Sequence, residues 1–282
     1  MQGASQISFR RRLETLLLYA LATMVGATGC SMWMHVGPAP KPTLPTRFNV
    51  ALDQLVIHSN FEIPSQHRLL QEINGERADL SNKLNLPMSD EKIYVYLFKD
   101  GEQFYDFIRQ RYPNFPDRRA FFLETDTQLT VYAYWGDRVA EDLRHEVCHG
   151  YLHSMVQNLP LWLDEGIAEY CEVPRGTGGI HPSHIADLNK LEKEGRWRPD
   201  IRRLEAFRSP ADMTEIDYGE SWAWVHWLLE TTPQRRALLQ EYLADLHRTG
   251  MAPPLSLYLR KLGGDPEREL YDYIHSLDRQ GM

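Results

Sequence analysis

The order of hydrophobic and polar positions divides the chain into a strand-rich stretch and a helical stretch. Leu55 to Ser59 reads as a short strand. Pro64 to Leu84 reads as a helix: Leu69, Leu70, Ile73, Leu80 and Leu84 form a broken apolar stripe, and Pro87 ends the segment. Ile93-Tyr94-Val95-Tyr96-Leu97-Phe98 is rich in β-branched and aromatic residues and predicts a central strand. Gly101 to Arg111 carries Phe104, Phe107 and Ile108 at helical spacing. Ala120 to Leu123 and Leu129 to Tyr134 predict two further strands, joined around Thr125-Asp126-Thr127. From Val139 onward the segments have helical periodicity and the strand signals stop. The expected fold is α+β, with a small N-terminal sheet and helices over about 47–136 and a mainly helical half over about 137–282.

The first residues follow another pattern. Arg10, Arg11 and Arg12 precede an apolar run, Leu16 to Val25, and then Gly26-Ala27-Thr28-Gly29-Cys30. A positive flank, a short apolar stretch and small residues predict a secretory signal over 1–29. The run is shorter than the roughly 20 residues that a membrane span needs. Ala27-Thr28-Gly29-Cys30 resembles a bacterial lipobox, with Ala27 where Leu is usual. The resemblance implies cleavage before Cys30 and lipidation of that cysteine; an ordinary secretory signal with an incidental Cys30 is the other reading. Ser31 after the Cys is similar to enterobacterial lipoproteins of the outer membrane. Pro38, Pro40, Pro42 and Pro45 predict a stiff, extended tether over 30–46. The expected location is the bacterial cell envelope, with the domain of residues 47–282 held at a membrane surface by its lipid anchor.

Composition narrows the function. The 282 residues are 43% hydrophobic and 25% charged, which suits a globular domain and not a disordered chain. Asp+Glu is 39 against Lys+Arg 31, a net charge of −8. Residues 1–29 hold three Arg and one Glu; without them the chain has 28 basic and 38 acidic residues and a charge of −10. That balance excludes nucleic acid as the main partner, because phosphate binding needs a basic face. Three cysteines are too few for a disulfide scaffold, although Cys148 and Cys171 can pair if their helices pack together.

His145-Glu146-Val147-Cys148-His149 is an HExxH motif. Residues four apart project from one helix face, so both imidazoles can reach one Zn²⁺. Val139, Leu143, Val147 and Leu152 supply an apolar face, and Glu141 and Asp142 occupy the first turn. Glu146 is placed to take a proton from water at the metal. A catalytic zinc site needs a third ligand and an open fourth position. Leu161 to Tyr170 predicts a second helix, set off by Asn158-Leu159-Pro160, from which Glu165 can supply that ligand. Glu169, one turn on, can accept the free N–H of a ligand histidine. Gly166 is expected to let this helix close on the HExxH helix near the metal.

HExxH followed by Trp162-Leu163-Asp164-Glu165-Gly166-Ile167-Ala168-Glu169-Tyr170 resembles the gluzincin metallopeptidases, the group of thermolysin and the aminopeptidase N family, over about residues 90–230. The nearest branch is that of bacterial secreted or lipoprotein peptidase-like domains. The resemblance implies a thermolysin-like zincin domain with Glu165 as third zinc ligand and Glu169 behind a histidine. It also matches Tyr218 to a tyrosine that donates to the oxyanion, with Glu220 and Ser221 in place of that motif's Lys and Gly. The Gly-x-Met-Glu-Asn segment that anchors a free amine in the aminopeptidases is absent; Leu129 to Gly136 stands there without an acid. Aminopeptidase action is thus disfavoured, and the Leu129–Tyr134 strand becomes a candidate sheet edge for an extended peptide.

The expectation is a one-zinc endopeptidase of the cell envelope acting on peptide or protein substrates. A non-catalytic envelope scaffold that keeps the gluzincin fold is the alternative. Of the other histidines, His153 is expected to be structural or at the surface. His181 and His184, in the Gly-rich segment from Arg175, are expected to be solvated, and His226 to be a core residue. Trp222, Trp224 and Trp227 span both faces of the Tyr218 helix, which suggests that part of the run lines a cleft.

Overall fold

A computed structural model describes residues 43–279 of the protein. The expected signal peptide, Cys30 and most of the tether lie outside them. The described chain runs β1 (Phe48–Leu52), β2 (Leu55–Ser59), α1 (Arg68–Leu84), β3 (Ile93–Phe98), α2 (Gly101–Arg111), β4 (Ala120–Thr125), β5 (Gln128–Tyr134), α3 (Val139–Met155), α4 (Leu161–Glu172), α5 (Pro182–Lys193), α6 (Ile201–Ala206), α7 (Glu215–Glu230), α8 (Pro233–Thr249), α9 (Leu255–Leu259) and α10 (Pro266–Arg279). It is an α+β fold, a small mixed sheet followed by helices. Among the described residues no helix is long and apolar enough to cross a membrane.

The sheet order is β1-β2-β3-β5-β4. β2, β3 and β5 are parallel, and β1 and β4 pair antiparallel at the two edges. β3 is central, as its apolar run predicts. β1 carries no clear sequence signal, because its positions are at most half-buried. The expectation that β5 is the sheet edge is corrected. Leu129 to Ala133 are buried on both faces, which suits an interior strand, and β4 takes the edge instead.

Strand alternation divides the apolar residues between two layers. Ile93, Val95, Leu97, Leu129, Val131 and Ala133 join the main core, against α1 and α3. Phe98 and Tyr132 face the other way and pack with Phe104 and Phe107 of α2. α3 lies close on the sheet, since a Cβ at Gly150 would meet the Ile93 side chain at 3.0 Å.

α4 and α7 form the centre of the helical half. Trp162 to Cys171 are all buried, as are Gly219 to Leu229. Both helices are buried all round, so their polar residues Asp164, Glu165, Glu169 and Glu220 are buried as well. Trp222, Trp224 and Trp227 are all in the core, and none lines the cleft beside His145. His226 is buried there, with the Tyr273 hydroxyl 2.8 Å from its Nδ1. Glu220 also points inward: its carboxylate accepts from Trp197 Nε1 at 2.9 Å, the Asp200 amide at 2.7 Å and Arg203 Nη2 at 2.6 Å, joining α6 to α7.

Gly166 separates expectation from structure. Its bare Cα faces α7 rather than α3: a Cβ there would press into the Ser221 carbonyl and the Val225 side chain. The glycine therefore sets the approach of α4 to α7. Gly166→Ala is expected to lower stability by about 1–3 kcal/mol through overpacking against a backbone atom. Urea denaturation of the purified protein reads this directly.

Candidate metal centre

α3 packs behind the β4–β5 side of the sheet, and α4 packs antiparallel on α3. Glu141 and Asp142 occupy the first turn of α3, where negative charge complements the helix dipole, and both bind Arg119. One turn later the helix presents His145 and His149. Their Nε2 atoms face each other at 3.2 Å. Glu165 reaches across from α4 and puts Oε2 at 3.6 Å from each of them. All three side chains are largely buried. Glu165 Oε2 has no hydrogen-bond partner, an orphaned buried acceptor aimed between two imidazoles.

These donors fit a metal ion. Ligands held about 2.0–2.1 Å from a tetrahedral Zn²⁺ lie about 3.3–3.4 Å apart, a value that the 3.2 Å and 3.6 Å separations here bracket. Two imidazoles and a carboxylate are also a zinc-type donor set. The described residues thus include a buried His/Glu group able to hold a metal ion.

The far nitrogens of the histidines are fixed as well. His149 Nδ1 bonds Asp164 Oδ1 at 2.9 Å, and His145 Nδ1 bonds Glu172 Oε2 at 3.1 Å. Both bonds leave Nε2 to face the centre. Here the expectation for Glu169 is corrected. Its carboxylate lies 4.0 Å from His145 Nδ1 and instead bonds His184 Nε2 at 2.8 Å. The cause is the antiparallel packing, in which the earlier histidine meets the later turn of α4. Glu172, seven residues after Glu165 and on the same face, is the carboxylate within reach. Asp164 also takes His153 Nε2 at 2.9 Å, and His153 Nδ1 meets Glu124 of β4 at 2.6 Å. His153 is therefore part of the network around His149.

Burial alone would lower the pKa of both histidines, but the carboxylates reverse it. Asp164 and Glu165 bring His149 up to about 10, and Glu165 and Glu172 hold His145 well above its ordinary value. Glu165 overcomes its own burial through the two imidazoles and falls to about 2. The pocket is built to hold positive charge. Glu146 behaves differently: burial pushes its carboxyl up, against the pull of His145 and His149.

The centre opens into a cleft of about 650 Å³. Glu146, Tyr218, Arg118, His181 and His184 line it. Tyr218, on the first turns of α7, sits with its hydroxyl 3.4 Å from Arg118 Nη2. Burial raises the Tyr218 pKa, so the phenol keeps its proton. Arg118, just before β4, escaped the sequence reading because no motif surrounds it. Asp164 and Glu172 escaped it because the helix register that brings them to the histidines is a tertiary fact. Cys148 and Cys171 are both buried free thiols. His181 and His184 are not solvated; they are largely buried and face α4.

A family described as a protein of unknown function (DUF1570) matches residues 140–255, from the first turn of α3 to the start of α9. That stretch contains His145, His149, Glu165 and Tyr218, but not Arg118. No curated protein matches the chain.

Proposed function

We propose that the protein is a zinc-dependent peptidase of the gluzincin type, acting within peptide chains. The observation that carries the reading is the orphaned Glu165 carboxylate set 3.6 Å from two facing imidazole nitrogens on an HExxH helix. His145, His149 and Glu165 would hold one Zn²⁺, which when bound polarises a carbonyl and lowers the pKa of water.

The remaining chemistry belongs to the chain. Glu146 borders the cleft and is not among the three ligands. Its raised pKa makes it the stronger proton acceptor, and it carries the proton from water to the leaving amine. Tyr218 donates its hydroxyl proton toward the developing oxyanion, while Arg118 donates to the phenol oxygen and orients it. Tyr218→Phe is expected to lower kcat by about 10²-fold with KM little changed, measured by steady-state kinetics on a fluorogenic peptide.

β4 supports an extended substrate. Its outer edge has no strand partner among the described residues, and Phe122 on this strand stacks over His149 with ring centroids 6.0 Å apart. A peptide can add to that edge by main-chain hydrogen bonds. The candidate lipid anchor at Cys30 would place this activity in the bacterial cell envelope, at a membrane surface.

The test is a mixed-peptide digest by the zinc-loaded protein. Cleavage at internal bonds, lost on chelation and restored by Zn²⁺, is the expected result. Tight zinc binding with no cleavage across the panel would overturn the enzyme reading in favour of a binding scaffold.

A further inference from the structure

We infer that Glu169, His181 and His184 form a second divalent-metal site, of the Zn²⁺ class, on the wall of the same cleft, with Glu172 beside it. None of these four is a ligand of the first centre. Glu169 and Glu172 come from the last turns of α4, while His181 and His184 come from the start of α5.

The donor atoms of Glu169, His181 and His184 converge, and Glu172 adjoins them through His181. His184 Nε2 is 2.8 Å from Glu169 Oε2, and His181 Nε2 is 3.9 Å from that same oxygen. Glu172 Oε1 lies 3.5 Å from His181 Nε2. These separations bracket the roughly 3.3 Å between ligands around one zinc ion. The two imidazoles stack, with centroids 3.8 Å apart and planes at 23°, and both direct Nε2 at the carboxylates. The site is largely enclosed and still opens to the cleft that an ion would enter.

The surroundings fix this geometry. Ser183 Oγ bonds His181 Nδ1 at 3.2 Å, which leaves Nε2 for a metal. Trp222 Nε1 donates to the Gly179 carbonyl at 2.8 Å and ties the loop before α5 to α7. Gly179 has φ +75°, and a Cβ there would run into the Tyr170 ring. Gly219 leaves room for the His184 ring, since a Cβ would stand 3.3 Å from its Nδ1. The N-terminus of α5 contributes about half a positive charge, which two full carboxylate charges outweigh.

The two centres share one link. Glu172 turns Oε2 to His145 Nδ1 and Oε1 to His181 Nε2. An ion held beside Glu172 would draw charge from the carboxylate that supports His145, so filling the second site should weaken the first.

The experiment is a metal count on the chelator-stripped full chain, titrated with Zn²⁺ alone and measured by elemental analysis and calorimetry. Two equivalents are expected in the native protein. His184→Ala and the milder His184→Asn should each retain one, and Glu165→Ala should retain the other. A single equivalent in the native protein that is lost in Glu165→Ala and kept in His184→Asn would overturn the second site and leave the first intact. A single equivalent kept in Glu165→Ala and lost in His184→Asn would support the second site and overturn the peptidase centre. The native count does not depend on any variant folding.

Discussion

Glu146→Gln should keep the bound ion and lose peptide cleavage by about 10²–10⁴-fold in kcat, the range of general acid–base catalysis. The amide has nearly the same size as the carboxylate, so the surrounding contacts survive. It cannot accept a proton at neutral pH. Glu146 lies beside His145 in sequence, yet it is outside the group of three donors that converge on one point. Metal content should therefore match the unaltered protein, and KM should change little. Parallel metal analysis and steady-state kinetics give both readings from one preparation. Full activity in Glu146→Gln would remove the proton-transfer role assigned to this residue.

Glu165→Ala carries the other large effect: the first centre should fail to retain zinc. The variant deletes one of three ligands and leaves two imidazoles without the carboxylate that faces them both at 3.6 Å. The neighbouring acids separate by position. Asp164→Ala and Glu172→Ala each remove the acceptor of a histidine Nδ1–H, and each should weaken zinc affinity by about 10–100-fold. Glu169→Ala should leave the affinity of the first centre close to its original value, because the carboxylate is 4.0 Å from His145 and bonded to His184. Competition against a chelator of known affinity ranks the four variants. A loss in Glu169→Ala as large as that in Glu172→Ala would reverse the assignment of the outer carboxylates.

Legibility followed the range of the interactions. β2, β3 and α2 sit at the predicted positions, because period-two and period-3.6 patterns are local. α1 begins at Arg68, four residues later than its pattern suggests, with His67 as its cap. HExxH was also legible, since four-residue spacing on a helix already places two histidines on one face, and Glu165 was legible through the motif resemblance. Gly166 was legible as a close-packing position but not for its partner. The same bare Cα would serve contact with α3 or with α7, and only the packed structure selects Ser221.

The sequence by itself determined that the chain is α+β, that one helix face presents both His145 and His149, and that an acidic residue is missing from the Leu129–Gly136 segment, with Glu165 only a candidate third donor on the next helix. The tertiary structure decided which carboxylate stands behind each histidine, that β4 rather than β5 is the sheet edge, and that His181 and His184 turn inward to α4. The physical reason is that the first set depends on intervals of a few residues, which backbone geometry fixes. The second depends on the direction and register in which distant elements pack, and the burial of whole faces sets these.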